Sequence, residues 1–194
     1  MQPIIHFRLR GLYQYWLAIK KNRHLPSKDD LNLHRISSHL PSVYLIEWNP
    51  VSAVFIWRLT GTRLCKLWGR ELSKTPVLDL WEPEQYEKIN NTLHGVRTAF
   101  HPFCIRLHGV CGEPYKLGLE MLALPLLDAV NTRVLIFGAL VPFKTPFWLD
   151  EYPLQRLHAW EIIAPDGRYN HQCLPTIPFP SILNYTNRNV DKLF

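Results

Sequence analysis

The chain has 194 residues, of which 47% are hydrophobic, 12% aromatic and 20% charged. Such a chain buries a core without staples, which excludes a disordered charged tail, a collagen-like fibre and a coiled-coil rod. Sixteen Pro against nine Gly disfavour an all-helical bundle, and a formal charge of +6 allows an acidic partner without demanding one.

Cys65, Cys104, Cys111 and Cys173 form no CxxC pair, so no disulfide framework is expected and the reducing cytoplasm is the default compartment. The apolar run Val134–Phe143 falls well short of the ~20 residues a membrane-spanning helix needs. The stretch Leu12–Ile19 carries Tyr13, Gln14 and Tyr15 and lacks the features of a secretory signal.

Taken in chain order, Ile5, Leu9, Leu12, Trp16 and Ile19 recur at helical spacing and predict a helix over 5–22. A basic segment around Leu25-Pro26-Ser27 breaks it, and a short helix is predicted over 31–39, stopped by Pro41. The period then changes to two. Residues 43–48 and 53–60 predict an antiparallel hairpin, with Ala53, Phe55, Trp57 and Leu59 on one face. A short helix over 62–68 with Gly69 as its C-cap follows. A longer one runs over 83–100, with Pro83 at its start and Tyr86, Ile89, Leu93, Val96 and Phe100 as its buried stripe. Three strands follow over 103–110, 115–124 and 133–141. A weaker strand is placed over 155–163, and the Pro- and Asn-rich remainder reads as irregular.

This order is an α+β architecture: a five-stranded antiparallel sheet with helices on one face, plus an N-terminal helix and a C-terminal extension. The boundaries are 1–42 for an N-terminal helical extension, 43–141 for the core and 142–194 for the C-terminal extension. The first segment holds seven Lys and Arg against two acids, +5 of the +6.

Several motifs stand in a recognisable series. They are Leu12-x-x-Tyr15-Trp16, then Arg23, Leu25-Pro26-Ser27 and Asp29, then Leu40-Pro41 before Tyr44-Leu45-Ile46-Glu47. Arg58-Leu59-Thr60-Gly61-Thr62, Gly69-Arg70-Glu71-Leu72, Leu124-Pro125-Leu126 and the apolar strand with Gly138 complete it. In this order they resemble a PAS-like family of bacterial, mainly alphaproteobacterial, single-domain proteins, the type 5 PAS family, over about residues 12–139. Two positions depart from the family pattern. Lys74 stands where a Gly is usual, and the turn after Leu126 is Asp128-Ala129-Val130-Asn131, where Asn131 is expected to take the left-handed conformation.

The element order itself lets the helices enclose a space between helix and sheet where a small molecule could sit. Its candidate walls are Phe55, Trp57, Leu59, Leu117, Met121 and Phe137, weighed evenly against a fully packed core. Gly61 and Gly69 are read as backbone devices. Arg58 is expected to pair with Glu47 or Glu120; alternatively Arg58 and Arg70 hold an anion.

His101, Cys104, His108 and Cys111 are of the types zinc takes, in a His-x2-Cys-x3-His-x2-Cys pattern. Pro102 and Gly109 make the segment a strand, on which Cys104 and His108 alone share a face, so no metal site is expected. Some PAS domains hold haem through a His near the long helix. His94 and His101 occupy that region, and a surface or cap role is expected for them.

No GxGxxG, P-loop, HExxH, GxSxG or zinc-deaminase pattern occurs, and Glu113 and Glu120 have no partner base or nucleophile in sequence. The expectation is a non-enzymatic, cytoplasmic sensory or regulatory module binding a small ligand, a signalling protein, or both. The stripe Leu9, Leu12, Trp16 and Ile19 can pack on the sheet or on a second copy of the chain, and a homodimer involving this helix is expected. A haem or metal sensor is the alternative. A binder of nucleic acid or anionic surfaces through the basic N-terminus stands behind both, because interleaved aromatics are lacking. The sequence names no cofactor.

Overall fold

The computed structural model describes residues 3–165. Helix α1 (Phe7–Lys20) starts where the His6 imidazole accepts from the Arg8 amide, and its last turn carries Lys20, a cation beside exposed carbonyls. Strands β1 (Val43–Asn49) and β2 (Val54–Thr60) form the expected hairpin. Helix α2 (Thr62–Trp68) closes on Gly69 at φ +62, the left-handed cap that Gly permits. A 3-10 turn beginning at Pro83 leads into α3 (Tyr86–Thr98). Then come β3 (Phe103–Val110), β4 (Lys116–Asp128), β5 (Arg133–Pro142) and β6 (Arg156–Ile163).

The sheet is antiparallel and six-stranded, in the order β2-β1-β5-β4-β3-β6. Its two halves, separated in sequence by α2 and α3, join where Tyr44 of β1 lies opposite Gly138 of β5. The strand expected over 155–163 is the sixth, on the outside of β3. Helices α2 and α3 cover one face, while α1 covers the other, so two cores lie back to back on one sheet. Both flanks of the 43–141 segment therefore pack on its sheet; the tail from residue 166 lies outside the described residues.

Three local expectations change. Residues 31–39 are consecutive turns, not a helix. Asn32 Oδ1 takes the His34 and Arg35 amides, and only Ile36 is buried, so no apolar face rewards helix formation. Phe100 lies beyond α3 and is 42% exposed. The left-handed residue of the β4–β5 turn is Thr132, at φ +48, while Asn131 donates to Asp128 at 2.7 Å.

The stripe of α1 is consumed within the chain. Leu9, Leu12 and Trp16 are buried against Leu122, Leu124, Leu135 and Phe137, Ile19 is half-buried, and Trp16 Nε1 donates to the Pro125 carbonyl at 2.9 Å. The residues expected at a homodimer contact thus pack on the chain's own sheet, the other of the two places open to this stripe.

The connection between α2 and α3 touches both outer strands. Thr75 accepts from the Trp57 amide at 3.0 Å and the Lys74 amide donates to the Trp57 carbonyl at 2.6 Å, both on β2. Further on, Trp81 bridges to Leu157 and the Glu82 amide donates to the Leu157 carbonyl at 3.1 Å, both on β6. Across a flat sheet, five strand spacings would separate these edges by roughly 24 Å. The step from Thr75 to Glu82, with a 3-10 turn at Val77–Leu80, spans roughly 18 Å. The sheet is therefore curled toward α2 and α3.

Candidate ligand-binding layer

The layer between the sheet and the α2–α3 face contains Tyr44, Phe55, Trp57, Leu117 and Met121 with Leu64, Trp68, Leu80, Trp81 and Leu93. Four of the six expected wall residues, Phe55, Trp57, Leu117 and Met121, come together here. Phe137 and Leu59 do not. Phe137 packs under α1, and Leu59, opposite Leu45, is 47% exposed on that same side of the sheet. Leu59 is displaced because β2 carries one extra residue between the partners of Leu45 and Ile46, so the alternation reverses after Trp57.

The layer is filled by aromatic rings. Trp57 meets Tyr44 edge-on at 5.3 Å, and His94 of α3 sits edge-on between Trp48, at 4.7 Å, and Phe55, at 4.9 Å. His94 is thus a buried layer residue and not a surface cap, and burial lowers its pKa, with Arg97 adding to the effect.

Its polar groups are unusual. Trp57 Nε1, Trp68 Nε1, Trp81 Nε1 and Gln85 Oε1 are all buried and have no hydrogen-bond partner among the described residues. Each such atom costs about 1–3 kcal/mol relative to a satisfied one. Three indole donors in one apolar layer suit a ligand that brings acceptors. Sequence reasoning found Trp57 and missed Trp68, Trp81 and Gln85. Seven Trp in the chain were the available signal.

The other candidates are dispersed. Arg58 pairs with Glu47 at 2.8 Å, and Arg133 reaches the same carboxylate at 2.9 Å, while Arg70 is exposed after α2. Glu120 pairs instead with Arg106. Cys104 faces the α1 core and Cys111 the opposite one, and burial raises both thiols, Cys111 to about 11. His108 stacks on His158, and His101 precedes β3, so the four residues of the His/Cys pattern do not converge.

A six-stranded antiparallel sheet curled around an aromatic layer, with α2 and α3 closing it, defines an α+β domain of the PAS type. A family model described as PAS domain matches residues 4–141, and the chain belongs to that family. The match takes in α1. PAS domains are in general sensory or regulatory modules. A search of curated proteins found none that matches. Among the described residues, no helix is long and apolar enough to cross a membrane.

Proposed function

We propose that this chain is a non-enzymatic, cytoplasmic sensory module that binds a small molecule between the sheet and the α2–α3 face. The reading is supported by the buried, unpartnered indole donors of Trp57, Trp68 and Trp81. A partly apolar ligand with acceptor oxygens or nitrogens would satisfy them while replacing ring contacts. Its binding would move His94 and α3, and the change would leave through surface contacts with a signalling partner.

For that contact the outward face of α1 is the proposed surface. Phe7 is 66% and Leu17 39% exposed, and Gln14 lies between them on the exposed side. It replaces the buried stripe as the place for a partner protein or a second copy.

Native mass spectrometry of protein purified from its own host tests the ligand reading. The expected result is an added mass lost on denaturation and reduced in Trp57→Phe. A bare polypeptide mass, together with no ligand-induced thermal shift across a metabolite panel, sinks it.

A further inference from the structure

We propose that Glu82, Glu84 and His158 bind one divalent transition-metal ion of the zinc class, at a place separate from the aromatic layer. A carboxylate oxygen from each Glu and an imidazole nitrogen of His158 lie within 4.8 Å of one another. The donors belong to segments far apart in sequence. Glu82 immediately precedes the Pro83–Gln85 turn, Glu84 lies within it, and His158 is on β6.

The backbone holds the two segments together. Trp81 bridges to Leu157, the residue before His158, and the Glu82 amide donates to the Leu157 carbonyl. Pro83 restricts φ at the start of the turn that carries Glu84. The imidazole is held as well. His108 stands opposite His158 in the β3–β6 register, and their rings stack at 4.9 Å with 17° between planes.

The charges ask for a cation. His158 Nδ1 is 2.5 Å from Glu82 Oε2, so one carboxylate is engaged by the imidazole. Glu84 brings a second carboxylate to the same ring, and its side chain has no hydrogen-bond or ion-pair partner among the described residues. Two carboxylates sharing one imidazole repel each other, and a dication reverses that term.

Imidazole nitrogen and carboxylate oxygen are both ordinary zinc donors, at about 2.0–2.2 Å. The exposed Glu84 side chain closes the remaining distance by rotation. Three protein donors leave a fourth position for water. Bound there, an ion would fasten the α2–α3 connection to the β6 edge. The proposal does not depend on the ligand reading of the aromatic layer, and neither result decides the other.

The test uses the full chain, stripped of metal and titrated with ZnCl2 by calorimetry and with CoCl2 by absorption. One ion per chain is expected, with a raised thermal midpoint and paramagnetic broadening of the His158 ring protons. Glu82→Gln and His158→Gln should each weaken binding roughly tenfold or more, while His34→Gln, an exposed control, leaves it unchanged. Circular dichroism without metal checks that the variants are folded. Failure of the wild-type chain to bind either metal overturns the proposal. So does unchanged affinity in the folded Glu82→Gln/His158→Gln double variant.

Discussion

Arg106 and Glu120 lie directly opposite each other on β3 and β4, both shielded from solvent, with Arg106 Nε 3.6 Å from Glu120 Oε1. Together they hold the segment that leads into α1. The Glu120 carboxylate accepts from the Ile5 amide at 3.0 Å and the His6 amide at 2.7 Å, and Arg106 donates to the Pro3 carbonyl at 3.1 Å. Glu161 also pairs with Arg106. Removing one partner of a buried pair strands the other, at about 3–5 kcal/mol. Glu120→Gln should cost about 3 kcal/mol, the lower end of that range, because Glu161 still faces Arg106. Urea denaturation measures the loss, and the Ile5 and His6 amides should exchange with solvent faster than in the wild type.

Tyr44 and Gly138 make a second strict requirement. The Tyr44 ring crosses Gly138, so that its hydroxyl donates to the Leu122 carbonyl on β4 at 2.7 Å. A Cβ on residue 138 would stand 1.7 Å from that carbonyl oxygen and 2.6 Å from the Tyr44 hydroxyl. Backbone cannot yield as a flexible side chain does. Gly138→Ala is therefore expected to cost at least about 3 kcal/mol, the top of the usual overpacking range, or to give insoluble protein. An unfolding midpoint close to wild type would refute this account.

Lys74 occupies the left-handed region at φ +71 while pairing with β2 through Trp57. A side chain there carries roughly 1–2 kcal/mol of steric cost, which Gly avoids at some expense in unfolded-chain entropy. Lys74→Gly should raise stability by about 0.5–1 kcal/mol, and Lys74→Val should lower it. Thermal unfolding of the two variants decides the sign.

Stability should fall on mild acidification. Burial lowers the imidazole pKa values of His39 and His94, and a lesser set of neighbouring cations adds to it. The unfolded chain then binds more protons than the folded one as pH drops through 6.5. Their contribution is complete above that value and is lost below it. Glu71 acts in a lower window. Ser73 and Thr60 hold its carboxyl down to about 2 from 4.5, so its share begins to disappear only below about 4.5. Urea midpoints at pH 7 and pH 5.5 should differ, and His94→Gln should reduce the difference.

Trp16 separates a structural from a partner role for α1. Trp16→Ala should cost about 3–5 kcal/mol, as buried aromatic truncations do. Phe7→Glu and Leu17→Glu should leave the unfolding midpoint within about 0.5 kcal/mol of wild type, since both side chains face solvent. Sedimentation then shows whether these outward residues govern association.

Much of this architecture was legible because local patterns were strong. The apolar spacing of α1, the hairpin at Asn49, Gly69 as a cap and Pro83 at a helix start all stand where sequence placed them. Faces were harder. In β5 both faces are buried, so Phe137 carried no mark of the side it takes. In β2 the extra residue before Leu59 is invisible to a period-two reading. The α1 stripe showed that an apolar partner exists but not whether the chain's own sheet or a second copy supplies it. Glu82, Glu84 and His158 converge only through the pairing of Trp81 with Leu157, which no local spacing encodes.

The crossing of one connection from β2 to β6 has a consequence for behaviour at high concentration. An outermost strand is a template on which another chain can grow, and such growth leads to fibrils or promiscuous strand exchange. Here the backbone groups of Trp57 on one border and Leu157 on the other are already occupied by the same short stretch. Loosening that stretch would free both borders at once. Variants that unpin it should gain a tendency to polymerise before they lose their helices.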